Sequence, residues 1–112
     1  MITIAKLQEL GVDTKEGLAR CMNNEGFYLK MVKMGLTDAH FEALEKAIAE
    51  DNITEAYEAA HALKGSTGNL GITPLYNPLN RMTQMLRAKM KANYTSMYAP
   101  IKDMRAKLLS EL

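Results

Sequence analysis

The sequence predicts an all-α protein, an antiparallel up-and-down four-helix bundle with additional short N-terminal helices. Residue types with high helix propensity, namely Ala, Leu, Met, Glu and Lys, are abundant from end to end. No β-branched run alternates with polar residues for long enough to indicate a strand. The turns between the longer predicted helices are short, which favours antiparallel neighbours. With 112 residues, the chain is expected to form one domain, 1–112, around a single core.

The first two predicted helices are short and are bounded by recognisable signals. The first spans residues 4–10 and stops at Gly11, because glycine commonly follows a helix C-terminus. The second begins after Asp13, which stands three residues before Glu16 in the arrangement of a capping box. This second helix is expected to end near residue 22.

The third and fourth predicted helices have caps of their own. Asn24 is expected to cap the third helix, which ends at Gly35 and carries three apolar residues on one side: Phe27, Met31 and Met34. Thr37 is expected to cap the fourth helix, in which four apolar residues recur at helical spacing: Phe41, Leu44, Ala47 and Ile48. The pair Asp51-Asn52 then predicts a turn.

Prolines leave one later boundary open. The helix over residues 53–70 is followed by Gly71, and the next helix starts either at Pro74 or, after a preliminary turn, at Pro78. Apolar spacing extends that helix to about residue 91, and residues 93–96 are expected to form a loop. A last helix covers about residues 97–108, and Pro100 is expected to start or kink it.

Composition excludes several classes of protein. Hydrophobic residues make up 47% and charged residues 24%, as in an ordinary globular protein rather than a disordered one. No apolar run approaches the roughly 18 residues that span a membrane, and no secretory leader stands at the N-terminus, so we expect a cytoplasmic protein. Cys21 is the only cysteine, which excludes an internal disulfide and fits a reducing compartment.

Charge is divided unevenly along the chain. The net charge of +1 provides no overall field for nucleic acid, which we do not expect as a partner. Residues 1–60, however, hold 6 basic and 11 acidic residues, whereas residues 61–112 hold 8 and 2, so the halves carry −5 and +6. The two halves are therefore expected to face different neighbours, with the basic half favouring an acidic partner surface.

One helix places a histidine opposite its predicted buried side. At about 100° per residue, the helix over 53–70 has one buried stripe, formed by Ala56, Ala60, Leu63, Thr67 and Leu70. His61 lies about 140° from the centre of this stripe and is expected in solvent. Lys64, Gly65 and Gly68 follow on the same exposed side.

The residues around His61 indicate phosphoryl chemistry. A glycine inside a helix costs about 1 kcal/mol relative to alanine, and two glycines that border a histidine allow another surface to come close. Imidazole is neutral and nucleophilic near pH 7, and Lys64, one turn away, can balance the charge of a phosphoryl group on His61. The alternative from spacing alone is an ordinary surface histidine beside a solvated lysine.

Other kinds of site have less support. No histidine stands four residues from His61, and His40 lies on another predicted helix, so we expect no metal site. Ser66 and Cys21 have no base beside them, which argues against a nucleophilic triad. Neither a Walker-type motif nor a Gly-x-Gly-x-x-Gly motif is present, which argues against nucleotide binding.

Residues 60–71, with the sequence AHALKGSTGNLG, resemble the signature of the histidine-containing phosphotransfer (HPt) domain family. Residues 11–20 and 27–29 resemble the N-terminal helices of that family. The resemblance implies a four-helix bundle in which His61 is phosphorylated, Lys64 helps to hold the phosphoryl group, and Gly65 and Gly68 leave room for a partner. We also expect Tyr57, four residues before His61, to take part in docking.

The resemblance also implies partners. Members of the family relay phosphate between aspartates of response-regulator receiver domains, usually after a hybrid sensor histidine kinase. We therefore expect a monomeric phosphoryl carrier that is not an enzyme, that binds no ATP, cofactor or metal, and whose partner receiver holds Mg²⁺ in an acidic pocket. Arg81-Met82 stands where the family often has a Leu-Glu type pair, and this departure bears on the choice of partner.

Two alternatives remain open at this point. The first is a non-catalytic helical bundle that uses the same surface only for binding. The second is the phosphoacceptor domain of a chemotaxis-type histidine kinase, whose phosphate comes from an ATP-binding domain rather than from a receiver. The start at Met1 and the helical end of the chain favour a freestanding protein.

Overall fold

A computed structural model describes residues 2–112, which form seven α-helices and no strand. The helices are α1 (Ile4–Glu9), α2 (Thr14–Arg20), α3 (Glu25–Leu36), α4 (His40–Ala49), α5 (Ile53–Asn69), α6 (Thr73–Arg87) and α7 (Tyr94–Leu109). The all-α prediction is confirmed. No helix within this described part combines the length and the hydropathy that crossing a membrane requires.

Helices α4 to α7 form the four-helix bundle. Each of them packs against the next along the chain, and α7 packs back against α4, so that the ring of helices is closed. The connections at residues 50–52, 70–72 and 88–93 are short, which makes successive helices antiparallel. The predicted up-and-down arrangement is thus the observed one.

Large apolar side chains from all four helices meet at the centre of this bundle. Phe41 of α4, Leu63 of α5, Leu79 of α6 and Ile101 of α7 have no exposed surface. Burying a side chain of this size contributes roughly 1.5–3 kcal/mol. The core therefore holds α5 in place through its inner side, and the outer side of the helix does not take part in this packing.

The short helices α1 to α3 pack at the end of the bundle where α5 meets α6. The Tyr28 hydroxyl donates a hydrogen bond to the Leu70 carbonyl at 2.8 Å, and the Asp13 amide donates to the Gly71 carbonyl at 2.8 Å. A Cβ on Gly17 would overlap the Leu70 carbonyl oxygen, so that α2 approaches this closely only because residue 17 is glycine. This packing fixes the C-terminal end of α5.

The predicted caps are mostly confirmed. The side chains of Asp13 and Asn24 accept hydrogen bonds from backbone amides three residues on, and so cap α2 and α3. The prediction for Thr37 is wrong, because its hydroxyl donates to the Lys33 carbonyl at 2.9 Å at the end of α3. Helix α4 begins later, at His40, and its first amide bonds to an Asp38 carboxylate oxygen instead.

The apolar side of α3 also differs from the prediction. Helix α3 buries Tyr28, Val32 and Leu36, whereas Phe27 and Met34 are 43% and 56% exposed. Tyrosine is a poor guide to a core from sequence alone, because its burial depends on a hydrogen-bond partner such as the Leu70 carbonyl. The helix also extends past Gly35 to residue 36.

The structure settles the boundaries that the prolines left open. Helix α6 already begins at Thr73, with Pro74 in its first turn and Pro78 inside it. It ends at residue 87 rather than 91, and α7 begins at Tyr94, capped by the Asn93 side chain. The predicted loop over 94–96 is therefore wrong. Pro100 lies inside α7 and does not start it.

Candidate functional site

Helix α5 exposes His61, as predicted. All five residues of the predicted stripe are buried, and Ala59 is buried with them. Thr67 is accommodated in the core because its hydroxyl donates to the Leu63 carbonyl at 2.8 Å. The Asn52 side chain caps the start of the helix by accepting from the Glu55 amide at 3.2 Å. Helix α5 is thus fixed by its buried side and by the cap at its N-terminus, while the imidazole of His61 faces solvent.

Tyr57 lies against the imidazole of His61. The two ring centroids are 5.7 Å apart and the ring planes meet at 19°. Both residues are on α5, one turn apart, so that the geometry of a single helix produces the stack. Stacking of this kind restricts the rotation of the histidine side chain and leaves one face of the ring open.

A surface groove of about 440 Å³ runs from His61 towards the C-terminal end of α5. His61, Lys64, Gly65 and Gly68 line it from α5, and further residues line it from α2 and α6, among them Arg20 and Tyr76. Four of the five predicted site residues therefore share one groove. Tyr57 is not part of its lining and reaches the site through its contact with His61.

The two glycines of this groove have different surroundings. A Cβ added to Gly65 would meet no atom within 4 Å, so that nothing in this chain requires glycine there. A Cβ added to Gly68 would lie 3.0 Å from two ring carbons of Tyr76. Gly68 therefore provides space for an aromatic ring of the same chain, whereas Gly65 leaves the surface beside His61 open.

Sequence reasoning missed Arg20, which joins α2 to the end of α5. One guanidinium nitrogen donates to the Gly68 carbonyl at 2.6 Å, and the other pairs with the Glu16 carboxylate at 2.6 Å. The spacing of four residues between Glu16 and Arg20 is visible in the sequence as a helical pair. The contact with Gly68 spans 48 residues and has no local signal.

The groove offers positive charge beside the imidazole. Lys64 is partly exposed and has no ion pair with any residue from 2 to 112. No three His, Cys, Asp or Glu side chains come together to hold a metal ion anywhere in the same range. An open imidazole next to an unpaired ammonium group suits an anionic group that arrives from outside.

The chain was compared with known proteins. The family model of the Hpt domain matches residues 35–111, a range that covers α4 to α7 and His61. The resemblance at residues 11–29 lies outside the matched range and stays a prediction. The searches of curated proteins and of solved structures returned no match. Because the match covers more than half of the chain and the whole bundle, the protein belongs to the Hpt domain family, whose members transfer phosphoryl groups through histidine in two-component signalling.

Proposed function

We propose that this protein carries a phosphoryl group on His61 between two receiver domains, one belonging to a hybrid sensor histidine kinase and the other to a response regulator. The observation that supports this most strongly is the exposed His61 with an unpaired Lys64 one turn away and open space at Gly65. An interaction bundle without chemistry has no need for that combination.

The transfer needs no group beyond the two proteins and the receiver's metal ion. The unprotonated ring nitrogen of His61 attacks the phosphorus of an aspartyl phosphate, and the bond between phosphorus and the aspartate oxygen breaks. Aspartate leaves as a carboxylate, and the other imidazole nitrogen keeps its proton. The reverse reaction on a second receiver returns the phosphoryl group to an aspartate.

Lys64 and Tyr57 have separate roles in this proposal. The ammonium group of Lys64 balances the charge of the phosphoryl oxygens on His61. The ring of Tyr57, stacked on the imidazole at 5.7 Å, keeps His61 in the orientation that a docked receiver meets, and orientation of this kind lowers the barrier to transfer. Gly65 lets the receiver backbone come close to the helix, and Gly68 makes room for the Tyr76 ring that borders the docking groove.

The remaining catalytic groups are assigned to the partner. The acidic pocket of the receiver holds Mg²⁺, which neutralises the transferring phosphoryl group. The protein itself acts as a carrier and a docking surface, without ATP or a metal ion of its own. We propose that this carrier is a monomer, because the bundle closes its core within one chain, and that it acts in the cytoplasm.

The chain has a matched control for the central experiment, because it contains two exposed histidines, His61 on α5 and His40 on α4. Receivers that carry an aspartyl phosphate are incubated with the wild type, His61→Gln and His40→Gln. We expect an acid-labile, base-stable label on the wild type and on His40→Gln and none on His61→Gln. Equal labelling of His61→Gln would overturn the proposal.

The alternatives predict other outcomes. If receivers bind the wild type and His61→Ala equally and no phosphate moves, the protein is an interaction module. If only an ATP-binding kinase domain labels His61, it is a chemotaxis-type phosphoacceptor. Lys64→Ala is expected to slow transfer from a receiver at an unchanged helical signal by circular dichroism, and an unchanged rate would remove Lys64 from the mechanism.

A further inference from the structure

The basic residues of the second half of the chain fall into two groups. Lys102 pairs with Glu45 at 2.7 Å, and Arg105 pairs with Glu42 at 3.1 Å, both across α4 and α7. Lys64 of the groove and Lys107 of α7 have no ion pair with any residue in 2–112, and neither have four exposed residues within 81–91: Arg81, Arg87, Lys89 and Lys91. We call the four residues within 81–91 the basic strip, and they lie on α6 and on the connection that follows it.

No acidic residue interrupts this part of the chain. Between Glu58 and Asp103 the sequence contains no Asp or Glu, so that the second half of α5, all of α6 and the first half of α7 lack carboxylates. Asp51 lines a small depression with Asn93 beyond the end of the strip. Charges further away than about 8 Å are largely screened at physiological salt, and the positive potential of the strip therefore acts locally.

The basic strip adjoins the face that carries His61. Helix α6 packs along α5, and its Tyr76 covers Gly68 in the groove. Arg87 follows Tyr76 by 11 residues, a rotation of about 20° and a rise of about 16 Å, so it lies on the same side of α6. Arg81 follows Tyr76 by five residues, a rotation of about 140°, and therefore lies on the outer, solvent side of α6. The face thus has the groove at one end and the unpaired Arg87 at the other, with the rest of the strip around the outside of α6 and at its C-terminal end.

We propose that the basic strip is a second docking surface, and that it binds an acidic patch of the receiver outside the phosphoacceptor pocket. This inference rests on the proposed function and adds the charge of the partner to it. Attraction between the strip and such a patch raises the rate of encounter and brings the receiver to His61 in one orientation. It contributes nothing to the chemical step, because the strip does not touch the phosphoryl group.

A protein partner fits this face better than a nucleic acid or an anionic membrane. The exposed carboxylates Glu55 and Glu58 lie on α5 within two turns of His61, and the net charge of the whole chain is only +1. A uniformly anionic polymer or bilayer that covered the strip and the groove together would also meet these carboxylates. A folded receiver can present acidic groups to the basic strip and neutral groups to Glu55 and Glu58.

The test compares two variants with the same change in net charge. The strip variant carries Arg81→Gln, Arg87→Gln, Lys89→Gln and Lys91→Gln. The control variant carries Lys30→Gln, Lys33→Gln, Lys46→Gln and Lys107→Gln, at exposed positions without an ion pair on α3, α4 and α7. The probe is the receiver domain that exchanges phosphate fastest with the wild type, and stopped-flow transfer is followed at several salt concentrations.

We expect the strip variant to lose about tenfold in the second-order rate constant at low salt and to show a flatter salt dependence. The rate at saturating receiver should stay unchanged, and the control variant should stay within about twofold of the wild type. Equal losses in both variants, or an unchanged salt dependence in the strip variant, would overturn the inference.

Two further measurements separate this inference from its alternatives. Phosphoramidate, a small donor that needs no docking, should label His61 equally in the wild type and the strip variant. If phosphoramidate labels both proteins equally and the rate constant of transfer from the receiver is also the same in both, the inference fails and the proposed function stands. If the strip variant loses only its affinity for vesicles of phosphatidylglycerol and phosphatidylcholine, the strip is a membrane site and the inference is again overturned.

Discussion

The two long faces of the bundle differ in how many of their polar groups have partners within the chain. On the α4–α7 face, Tyr98 donates to the Phe41 carbonyl at 3.0 Å, and the Arg105 guanidinium lies 4.3 Å from the centre of the Phe41 ring. Lys102 pairs with Glu45 there. Lys46 and Lys107 of that face lack an ion pair, but on the α5–α6 face neither Lys64 nor any residue of the basic strip has one in 2–112. Charges satisfied inside the chain stabilise the fold, and charges left unpaired are available to another molecule.

The glycines sharpen this comparison. Exposed glycine in a helix lowers stability by about 1 kcal/mol relative to alanine, and Gly65 has no neighbour within 4 Å that would exclude a side chain. Packing within the chain therefore does not explain the glycine at position 65, whereas the approach of another molecule does. Gly17, by contrast, is required by packing of the chain against itself.

The largest expected effect is on transfer, from a bulky residue on the α5–α6 face. Gly65→Leu should lower the rate of transfer from a phosphorylated receiver by about a hundredfold, because a displacement of about 1 Å at the reacting groups has a cost of that size. The melting temperature should not fall, since the new side chain meets open space. Stopped-flow transfer and thermal unfolding measure the two effects.

The control for this prediction is Gly26→Leu. Gly26 lies on α3, and its nearest neighbour for an added Cβ is the Asn24 side-chain oxygen at 3.6 Å, an ordinary contact. Transfer by this variant should match the wild type. A hundredfold loss in Gly26→Leu as well, or no loss in Gly65→Leu, would show that the open space beside His61 is not what a partner uses.

The next effect is on stability, from the α4–α7 face. The side chain of Arg105 is only 17% exposed and donates to the Leu36 carbonyl at 2.8 Å. Arg105→Gln should lower the free energy of unfolding by about 2 kcal/mol, because a hydrogen bond from a charged donor is lost. Urea unfolding measures this value, and the transfer rate should remain that of the wild type. If Arg105→Gln kept the wild-type free energy of unfolding but transferred phosphate more slowly, the α4–α7 face would serve transfer rather than stability, which would contradict the comparison.

The smallest expected effect is on the free energy of unfolding and its pH dependence, and it comes from Tyr98 on the α4–α7 face. Burial, followed by the nearby Glu45 carboxylate, raises the pKa of the Tyr98 hydroxyl from 10 to about 12. The folded state therefore favours the neutral hydroxyl, and its contribution to stability is complete below pH 10 and lost as the pH rises to about 12. Tyr98→Phe should cost about 1 kcal/mol at pH 7.

The alkaline part of this prediction has its own measurement. Unfolding in urea between pH 9 and pH 12 should show a smaller loss of stability with pH in Tyr98→Phe than in the wild type. Some loss should persist, because burial also raises the pKa of Tyr28 to about 12. Parallel stability curves for the two proteins would remove Tyr98 from the alkaline transition.

The sequence predicted the parts of the molecule that depend on local signals. Helical spacing placed the buried stripe of α5 and the exposed His61, and side-chain caps at Asp13 and Asn24 were visible as short patterns. Long-range packing was not predictable in this way. The hydroxyl of the buried Tyr28 donates to a carbonyl 42 residues away, and Gly68 is covered by Tyr76 across a turn. Helix α6 continues through Pro78 although proline removes one backbone hydrogen bond.

The most direct test of the central claim is to locate the phosphoryl group itself. The wild-type protein, labelled by a phosphorylated receiver, is fragmented by mass spectrometry at neutral pH, where phosphohistidine survives. We predict that the phosphoryl group lies on His61 and that the α4–α7 face, which includes His40, carries none. A phosphoryl group on any other residue, with His61 unmodified, would contradict it.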